Sequence, residues 1–176
     1  IEKAAADNAA MTGHHQPVAF MGAEGETFGD GGATIAEAWF EDAEGIPQLT
    51  LENGRPYTFC MRVRFDREVT DPLFSTSMTN LQGLQLFSAS SVWTDPTPGT
   101  FRPGESTLFR VGFENILSAG RYSVTAAVTL ADGTWLQLRE RMFGVMVTST
   151  RTSGALVDVP QSVTLRREGA TEGVTP

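Results

Sequence analysis

Hydrophobic and polar side chains alternate with a period of two along much of this chain. The alternation is clearest in residues 57–66, YTFCMRVRFD. One face would carry Tyr57, Phe59, Met61, Val63 and Phe65, and the other Thr58, Cys60, Arg62, Arg64 and Asp66. Because successive side chains of a strand point to opposite sides, this pattern predicts a strand with one face in a core and one face in water.

Similar patterns predict further strands at sandwich-like spacing. They cover residues 34–42, 73–80, 84–90, 106–113, 121–130, 134–141 and 143–147. Turn signals separate them at Asn53-Gly54-Arg55-Pro56, Leu81-Gln82-Gly83 and Ala131-Asp132-Gly133. About eight strands without a convincing helix predict an all-β fold, an antiparallel Ig-like β-sandwich.

The ends of the chain have a different character. Residues 1–32 are rich in Ala and Gly and keep no period, which predicts a linker, and the sandwich is expected over residues 33–165. Residues 154–165 form one more possible strand, interrupted by Pro160, and residues 166–176 are expected to be a flexible tail. Because the chain starts with Ile1 instead of Met, we expect it to be part of a longer protein.

Charge and composition exclude several classes of partner. The chain has 13 Lys and Arg against 21 Asp and Glu, a net charge of −8. An acidic domain repels phosphate backbones and anionic headgroups, so we expect no nucleic-acid partner. There is no apolar run of about 20 residues, so no direct membrane insertion is expected. The single cysteine, Cys60, excludes an intrachain disulfide and fits a reducing, cytoplasmic compartment.

Catalytic and metal-binding patterns are scarce. There is no phosphate-binding GxxxxGK[ST] motif, and His14 and His15 are adjacent without a cluster of other ligands. Cys60 has no histidine near it in sequence to act as a base, so a packed thiol is expected. We therefore predict no cofactor, no metal and no enzymatic activity. Glycoside hydrolysis stays a minor alternative, because carboxylates are present at Glu37, Glu41, Asp42, Glu105, Glu114 and Glu140.

A binding surface for sugars is the remaining hypothesis. Proteins hold sugars with aromatic rings against C–H faces and with polar side chains on hydroxyl groups. The candidates are Trp93, Trp135, the row Ser75, Ser77 and Thr79, the pair Arg62 and Arg64, and the pair Gln137 and Arg139. Trp135 has a core position as its alternative, and Trp39 is expected in the core. The two arginines are either a solvated face or a patch for an anionic or hydroxyl-rich ligand.

Several blocks of the sequence resemble one family. Residues 103–128, PGESTLFRVGFENILSAGRYSVTAAV, are the most specific block, and NGRPYTFCMRVRF (53–65) and IAEAWFEDAEG (35–45) precede it in the expected order. A hairpin motif with Pro72, Phe74, Gly83 and Phe87 lies between them. Together these motifs resemble the C-terminal, glycan-recognising domain of Wzt-type ATP-binding subunits of O-antigen polysaccharide ABC transporters.

The resemblance implies a function and partners. The family domain is a β-sandwich that binds the exported polysaccharide and couples it to transport. It works as a homodimer, with a C-terminal strand that exchanges between protomers in some members, here residues 154–165. An ATP-binding domain would precede Ile1, and the parent protein would contact the transmembrane subunit at the inner face of the plasma membrane. The alternatives are a structural or dimerisation module without its own ligand, and a sandwich glycoside hydrolase.

Overall fold

Strands and their connections make up nearly all of the described chain, which in this computed structural model comprises residues 25–94, 97–151 and 153–165. In chain order the strands are β1 Thr27–Phe28, β2 Ala33–Glu41, β3 Pro47–Gln48, β4 Thr50–Glu52, β5 Pro56–Phe65, β6 Val69–Thr70, β7 Leu73–Asn80, β8 Gln85–Ser90, β9 Thr100–Phe101, β10 Ser106–Glu114, β11 Gly120–Thr129 and β12 Trp135–Thr148. A short 3-10 turn, Ser91–Trp93, follows β8.

The long strands form two sheets that pack face to face. A six-stranded sheet has the order β1-β12-β11-β7-β8, with β4 added parallel to β12, and a four-stranded sheet has the order β10-β5-β2-β3. Strands β6 and β9 form a small separate ribbon. Apart from β4, every strand pair is antiparallel. The predicted all-β antiparallel sandwich is confirmed.

The core lies between the sheets and is rich in phenylalanine. Phe40 of β2 contacts the ring of Phe59 on the neighbouring strand edge-to-face, with 5.5 Å between centroids, and Phe65 stacks on Phe101 at 4.3 Å. The hydroxyl group of Tyr122 donates to the carbonyl oxygen of Ser118 at 2.8 Å. This contact at the start of β11 resembles the tyrosine corner of Ig-like sandwiches. It also gives the buried hydroxyl group of Tyr122 a hydrogen-bond partner.

Strand β12 differs from its prediction. The sequence indicates two strands, residues 134–141 and 143–147, whereas the structure has one strand of 14 residues. Its pairing with β11 shifts between Val124 and Ala126, opposite Arg141, whose φ is 46°. From Phe143 to Arg139 the strand β12 advances four residues while β11 advances two, so this bulge inserts two residues and leaves positions 139 and 143 on the same face. A second shift, between Val128 and Thr129, inserts one residue and exchanges the two faces of β12. The alternation therefore breaks in the sequence although the strand continues.

The sandwich begins inside the segment that the sequence assigns to a linker. Strand β1 pairs with β12, and the backbone N–H groups of Asp30 and Gly31 donate to the carbonyl oxygens of Trp135 and Leu136. Gly29 makes this approach possible: it has a φ of 129°, and a Cβ atom there would lie 2.5 Å from the carbonyl oxygen of Leu136. Residues 1–24 and 166–176, the rest of the predicted linker and the tail, lie outside the described residues.

We expect Gly29→Ala to lower the free energy of unfolding by at least about 2 kcal/mol, because the substitution combines an unfavourable φ with a backbone clash. Gly133→Ala is the matched control. Gly133 also has a positive φ, 88°, but a Cβ atom there would meet nothing within 4 Å. Urea unfolding of both variants measures the difference. Equal losses of stability would contradict a close approach of β12 at Gly29.

The segment 154–165 forms no strand within the described part of this single chain. It is attached by one antiparallel bridge between Leu117 and Val157 and by the bond from the Asp158 N–H group to the carbonyl oxygen of Ile116, 2.7 Å. Beyond this attachment the apolar side chains are in water, with Val163 89% and Leu165 97% exposed. Apart from the bridge at Val157, the possible strand predicted from the sequence therefore has no strand partner among the described residues.

Candidate carbohydrate-binding site

The outer face of the four-stranded sheet carries an ordered set of large polar and aromatic side chains. The register of β2, β5 and β10 aligns them in rows across the strands, Glu37–Arg62–Leu108, Trp39–Cys60–Arg110 and Glu41–Thr58–Gly112. We call the residues Glu37, Trp39, Glu41, Arg62 and Arg110 the Trp39 platform. Three strands that are separated in the sequence contribute to it, because β5 lies between β2 and β10.

Hydrogen bonds hold the indole ring of the platform in place. The Nε1–H group of Trp39 donates to Oε1 of Glu41 at 2.8 Å, and Nη2 of Arg110 donates to Oε2 of the same carboxylate at 2.7 Å. On the other side, the guanidinium of Arg62 lies 6.0 Å from the ring centroid of Trp39. It also donates from Nε to Oε2 of Glu37 at 3.1 Å. A ring held on both sides loses little freedom when a ligand binds.

A shallow cavity continues the platform at one end. It has a volume of about 270 Å³ and is lined by Asp42, Ala43, Pro56, Tyr57, Thr58, Gly112 and Phe113. Gly112 leaves its floor open, because a Cβ atom at this position would meet nothing within 4 Å. The side chain of Glu41 lies in the same row as Thr58 and Gly112, so the cavity and the platform form one continuous surface.

The opposite end of this face is closed by an exposed ion pair. Nη2 of Arg64 lies 3.0 Å from Oδ1 of Asp66, and the hydroxyl group of Thr34 donates to Oδ2 at 2.6 Å. The bond from Thr34 and the neighbouring guanidinium hold the pKa of Asp66 below its usual value. Asp66 is therefore ionised at neutral pH and compensates the charge of Arg64.

Cys60 lies beneath the platform and is fully buried. Burial, and secondarily the charge of Glu41, raises the pKa of the thiol to about 12. The packed thiol expected from the sequence is confirmed.

We expect Cys60 in the folded protein to resist alkylation by iodoacetamide at pH 8, because with a pKa of about 12 only about one thiol in ten thousand is ionised. Since Cys60 is the only cysteine, labelling followed by mass spectrometry reports on it alone. The same protein in urea should react at the rate of a free thiol. Equal rates in the two states would contradict the covered position.

The raised pKa of Cys60 also makes stability depend on pH. Because the thiol ionises at a lower pH in the unfolded chain than in the folded protein, the free energy of unfolding falls as the pH rises toward 12.

The residues predicted from the sequence are divided between the two faces of the sandwich. Arg62 belongs to the platform and Arg64 to the ion pair beside it. Ser75, Ser77 and Thr79 lie on β7, on the outer face of the six-stranded sheet, together with other small hydroxyl side chains. The cross-strand partners on that face include Ser90 opposite Ser75, and Ser88 and Thr125 opposite Ser77. The row of Ser75, Ser77 and Thr79 therefore lies on a different sheet from Arg62 and Arg64.

The two remaining predicted tryptophans are on the surface. Trp93 is 65% exposed in the turn after β8, and Trp135 is 46% exposed at the start of β12. Trp135 is therefore not in the core, and neither ring belongs to the Trp39 platform.

Gln137 and Arg139 contact the backbone of the other sheet. Oε1 of Gln137 accepts the N–H group of Ile35 at 2.6 Å, and Nη1 of Arg139 donates to the carbonyl oxygen of Ile35 at 3.4 Å. A register shift in β2 lies directly after Ile35. These side chains thus hold β2 against β12 where its ladder is irregular, and a role in glycan binding stays a prediction for both.

Four platform residues were not predicted from the sequence as glycan-binding residues: Glu37, Trp39, Glu41 and Arg110. Trp39 was expected in the core, and this was wrong: its indole is only partly buried, on the outer face. The alternation of the sequence does indicate the outer face, because Trp39 lies between the buried residues Ala38 and Phe40 and two positions from both Glu37 and Glu41. The sequence did not indicate that Arg110 lies near β2, since the alternation within a strand does not show which strands are its neighbours in the sheet.

A family model decides the relationship of this chain to known proteins. The model described as Wzt C-terminal domain matches residues 24–159, which is most of the chain and includes both sheets. The chain belongs to the Wzt C-terminal domain family. No curated protein sequence is significantly similar to it.

Solved structures agree with the fold of the Wzt C-terminal domain. The crystal structure of the C-terminal domain of Wzt is 21% identical, with a TM-score of 0.74 over 87% of this chain and 94% of that chain. A Niemann-Pick type C2 protein from Japanese carpenter ant is 10% identical, with a TM-score of 0.51 over 70% of this chain and 98% of that one. At such identities these matches show the architecture and no more.

Membership in the Wzt C-terminal domain family supports a carbohydrate-binding module of an ABC transporter, and the family domain is non-catalytic. The two carboxylates of the platform also do not resemble a hydrolase pair. Glu37 and Glu41 are four residues apart on one strand, so their Cα atoms are about 13 Å apart. Each is bonded to an arginine. In the described ranges, no helix is long and apolar enough to cross a membrane.

Proposed function

We propose that this chain is the polysaccharide-recognising module of an O-antigen-type ABC exporter and that the Trp39 platform is its binding surface. The observation that carries the proposal is the indole of Trp39, held at the surface of a sheet between Glu41, Arg110 and Arg62. Family membership supports the class of ligand, and the platform supplies the groups that such a ligand needs.

The platform matches the chemistry of a sugar ring. The C–H face of a pyranose would lie on the indole, while carboxylate oxygens of Glu41 and N–H groups of Arg110 would bond to its hydroxyl groups. The cavity beside Thr58 and Gly112, about 270 Å³, would take the adjoining sugar unit. Because the charged side chains already hold one another in place, they lose little conformational entropy when the ligand binds.

We further propose that the domain acts as a homodimer attached, through its parent protein, to the transmembrane subunit at the cytoplasmic face of the membrane. Two platforms on one exporter would engage the same polymer, so weak single-site affinity would suffice. The exposed apolar side chains of Val163 and Leu165 support a partner strand in this segment, since β8 and β10 end their sheets with an unpaired edge.

Chemical-shift mapping tests the binding surface. The domain is titrated with the polysaccharide produced by the cell that encodes it. We expect shifts in backbone amides of β2, β5 and β10, and none in β7 or β11 away from their ends. Shifts centred on Ser75 and Ser77 would move the site to the six-stranded sheet. No shifts at a millimolar concentration of repeat units would overturn a binding function and favour a structural module.

Removing residues 154–165 tests the dimer separately. We expect the truncated chain to become monomeric by light scattering and to keep its glycan-dependent shifts, since the segment is attached to Ile116 and Leu117, neither of which belongs to the platform. A truncated chain that stays dimeric would show that another surface forms the dimer.

A further inference from the structure

Among the described residues, every guanidinium group on the outer face of the four-stranded sheet is bonded to a carboxylate. Arg110 contacts Glu41 at 2.7 Å, Arg62 contacts Glu37 at 3.1 Å, and Arg64 contacts Asp66 at 3.0 Å. The sequence alone left two ligands open for the arginines, one anionic and one rich in hydroxyl groups. Because all three arginines are already paired with carboxylates, their pairing helps to decide between these two ligands.

Carboxylates outnumber guanidinium groups on this face. Asp42 lines the cavity, and Glu114 lies at the end of β10, on the same face of the strand as Arg110. In the part of the chain that the structure describes, this face and its cavity carry five carboxylates, Glu37, Glu41, Asp42, Asp66 and Glu114, and three guanidinium groups, Arg62, Arg64 and Arg110. The whole chain carries −8, so the surroundings add to the negative potential.

An anionic ligand could bind an arginine here only by displacing a carboxylate. The most costly case is Glu41, which is only 8% exposed and has both oxygens bonded, one to Trp39 and one to Arg110. Leaving a buried carboxylate without its partner is strongly unfavourable, and a second anion beside it adds repulsion. A hydroxyl group needs no such displacement, because it can donate to a carboxylate oxygen and accept from a free guanidinium N–H.

We infer that the Trp39 platform takes an uncharged, hydroxyl-rich stretch of glycan and rejects glycans whose sugars carry carboxylate or phosphate groups. This inference rests on the proposed function. It adds that Arg62 and Arg110 orient the indole and bond to hydroxyl groups, and that they do not serve as receptors for an anion.

Affinity electrophoresis with matched glycan pairs tests the inference. The native gels contain galactan or polygalacturonate, mannan or polymannuronate, and dextran or carboxymethyl-dextran. We expect retardation by at least one neutral glycan and affinity at least about tenfold lower for its acidic counterpart. Binding of the neutral glycan should not change as the salt concentration rises from about 0.05 to about 0.5 M, because no net charge is exchanged.

Two variants with the same change of charge sharpen the test. Glu37→Gln releases Arg62 from its partner, and we expect it to narrow the difference between neutral and acidic glycans. Glu140→Gln, on the six-stranded sheet, is the matched control and should leave the difference unchanged. A narrowing of equal size in both variants would show that only the net charge of the domain matters, and would overturn the inference.

The remaining outcomes separate the inference from the proposed function. Tighter, salt-sensitive binding of an acidic glycan that Arg62→Ala abolishes would overturn the inference and leave glycan binding at this face in place. Retardation by none of the six glycans, at millimolar sugar, would count against the proposed function and the inference together.

Discussion

Replacing Trp39 by alanine is expected to weaken glycan binding by at least about tenfold, which corresponds to about 1.4 kcal/mol. The substitution removes the flat apolar surface on which a sugar would lie, and with it the apolar area that the ligand would bury there. It also removes the Nε1–H donor that orients Glu41. Both effects act on the same ligand contacts, so the loss should exceed that of any single polar substitution on the platform.

Isothermal titration of the domain with its polysaccharide measures this loss. Trp93→Ala is the matched control, because Trp93 is a more exposed tryptophan and lies outside the platform. Trp39→Phe should have an intermediate affinity, since a ring remains but the donor to Glu41 does not. If Trp39→Ala bound as tightly as the unchanged protein while Trp93→Ala did not, the binding surface would have to be placed at the turn after β8.

Phe40→Ala, one position further along the same strand, is expected to lower the free energy of unfolding by about 3–5 kcal/mol. Phe40 is 1% exposed and contacts the rings of Phe59, Phe113 and Phe143, with centroid distances of 5.5, 6.0 and 6.0 Å. The last two rings come from β10 and β12, so a cavity at Phe40 loosens both sheets at once. A loss of this size is a large part of the stability of a typical domain.

Urea unfolding followed by circular dichroism measures the effect, with Trp39→Ala as the neighbouring control. We expect Trp39→Ala to cost less than about 1.5 kcal/mol, because its side chain packs on the outside of the sheet and the core beneath it is unchanged. The two adjacent substitutions should thus separate stability from binding. Similar losses of stability in both variants would contradict the assignment of Trp39 to the outer face.

Local pattern was sufficient for much of the fold. The alternation in residues 57–65 correctly divided the side chains between the two faces of β5, because burial on one side of a sheet imposes a period of two on the residues themselves. Cys60 lies on the outer face as predicted but is buried beneath the platform. The hairpin at Gly83 and the turn at Gly133 were predicted for a similar reason, since both positions have a positive φ that glycine tolerates. Pattern was misleading in β12, where the extra residues at two register shifts interrupt the alternation within one continuous strand.

The candidate site was accessible to the sequence only in part. Arg62 was proposed because two arginines share one face of β5, and this holds in the structure. Trp39 was assigned to the core on the general tendency of large aromatic rings to be buried, against the alternation of its own strand. Residues on β7 were proposed together with the arginines, although the two rows lie on opposite outer faces of the sandwich.

The sequence by itself therefore determined that this chain is a β-sandwich, which side of each regular strand faces the core, and, through its ordered motifs, the family to which it belongs. These properties depend on neighbouring residues and on turns, so they are written locally along the chain. The tertiary structure alone decided that Glu41, Trp39 and Arg110 meet across β5 and that each arginine there has a carboxylate partner. Such contacts depend on the order and register of strands far apart in the chain, and no local pattern encodes them.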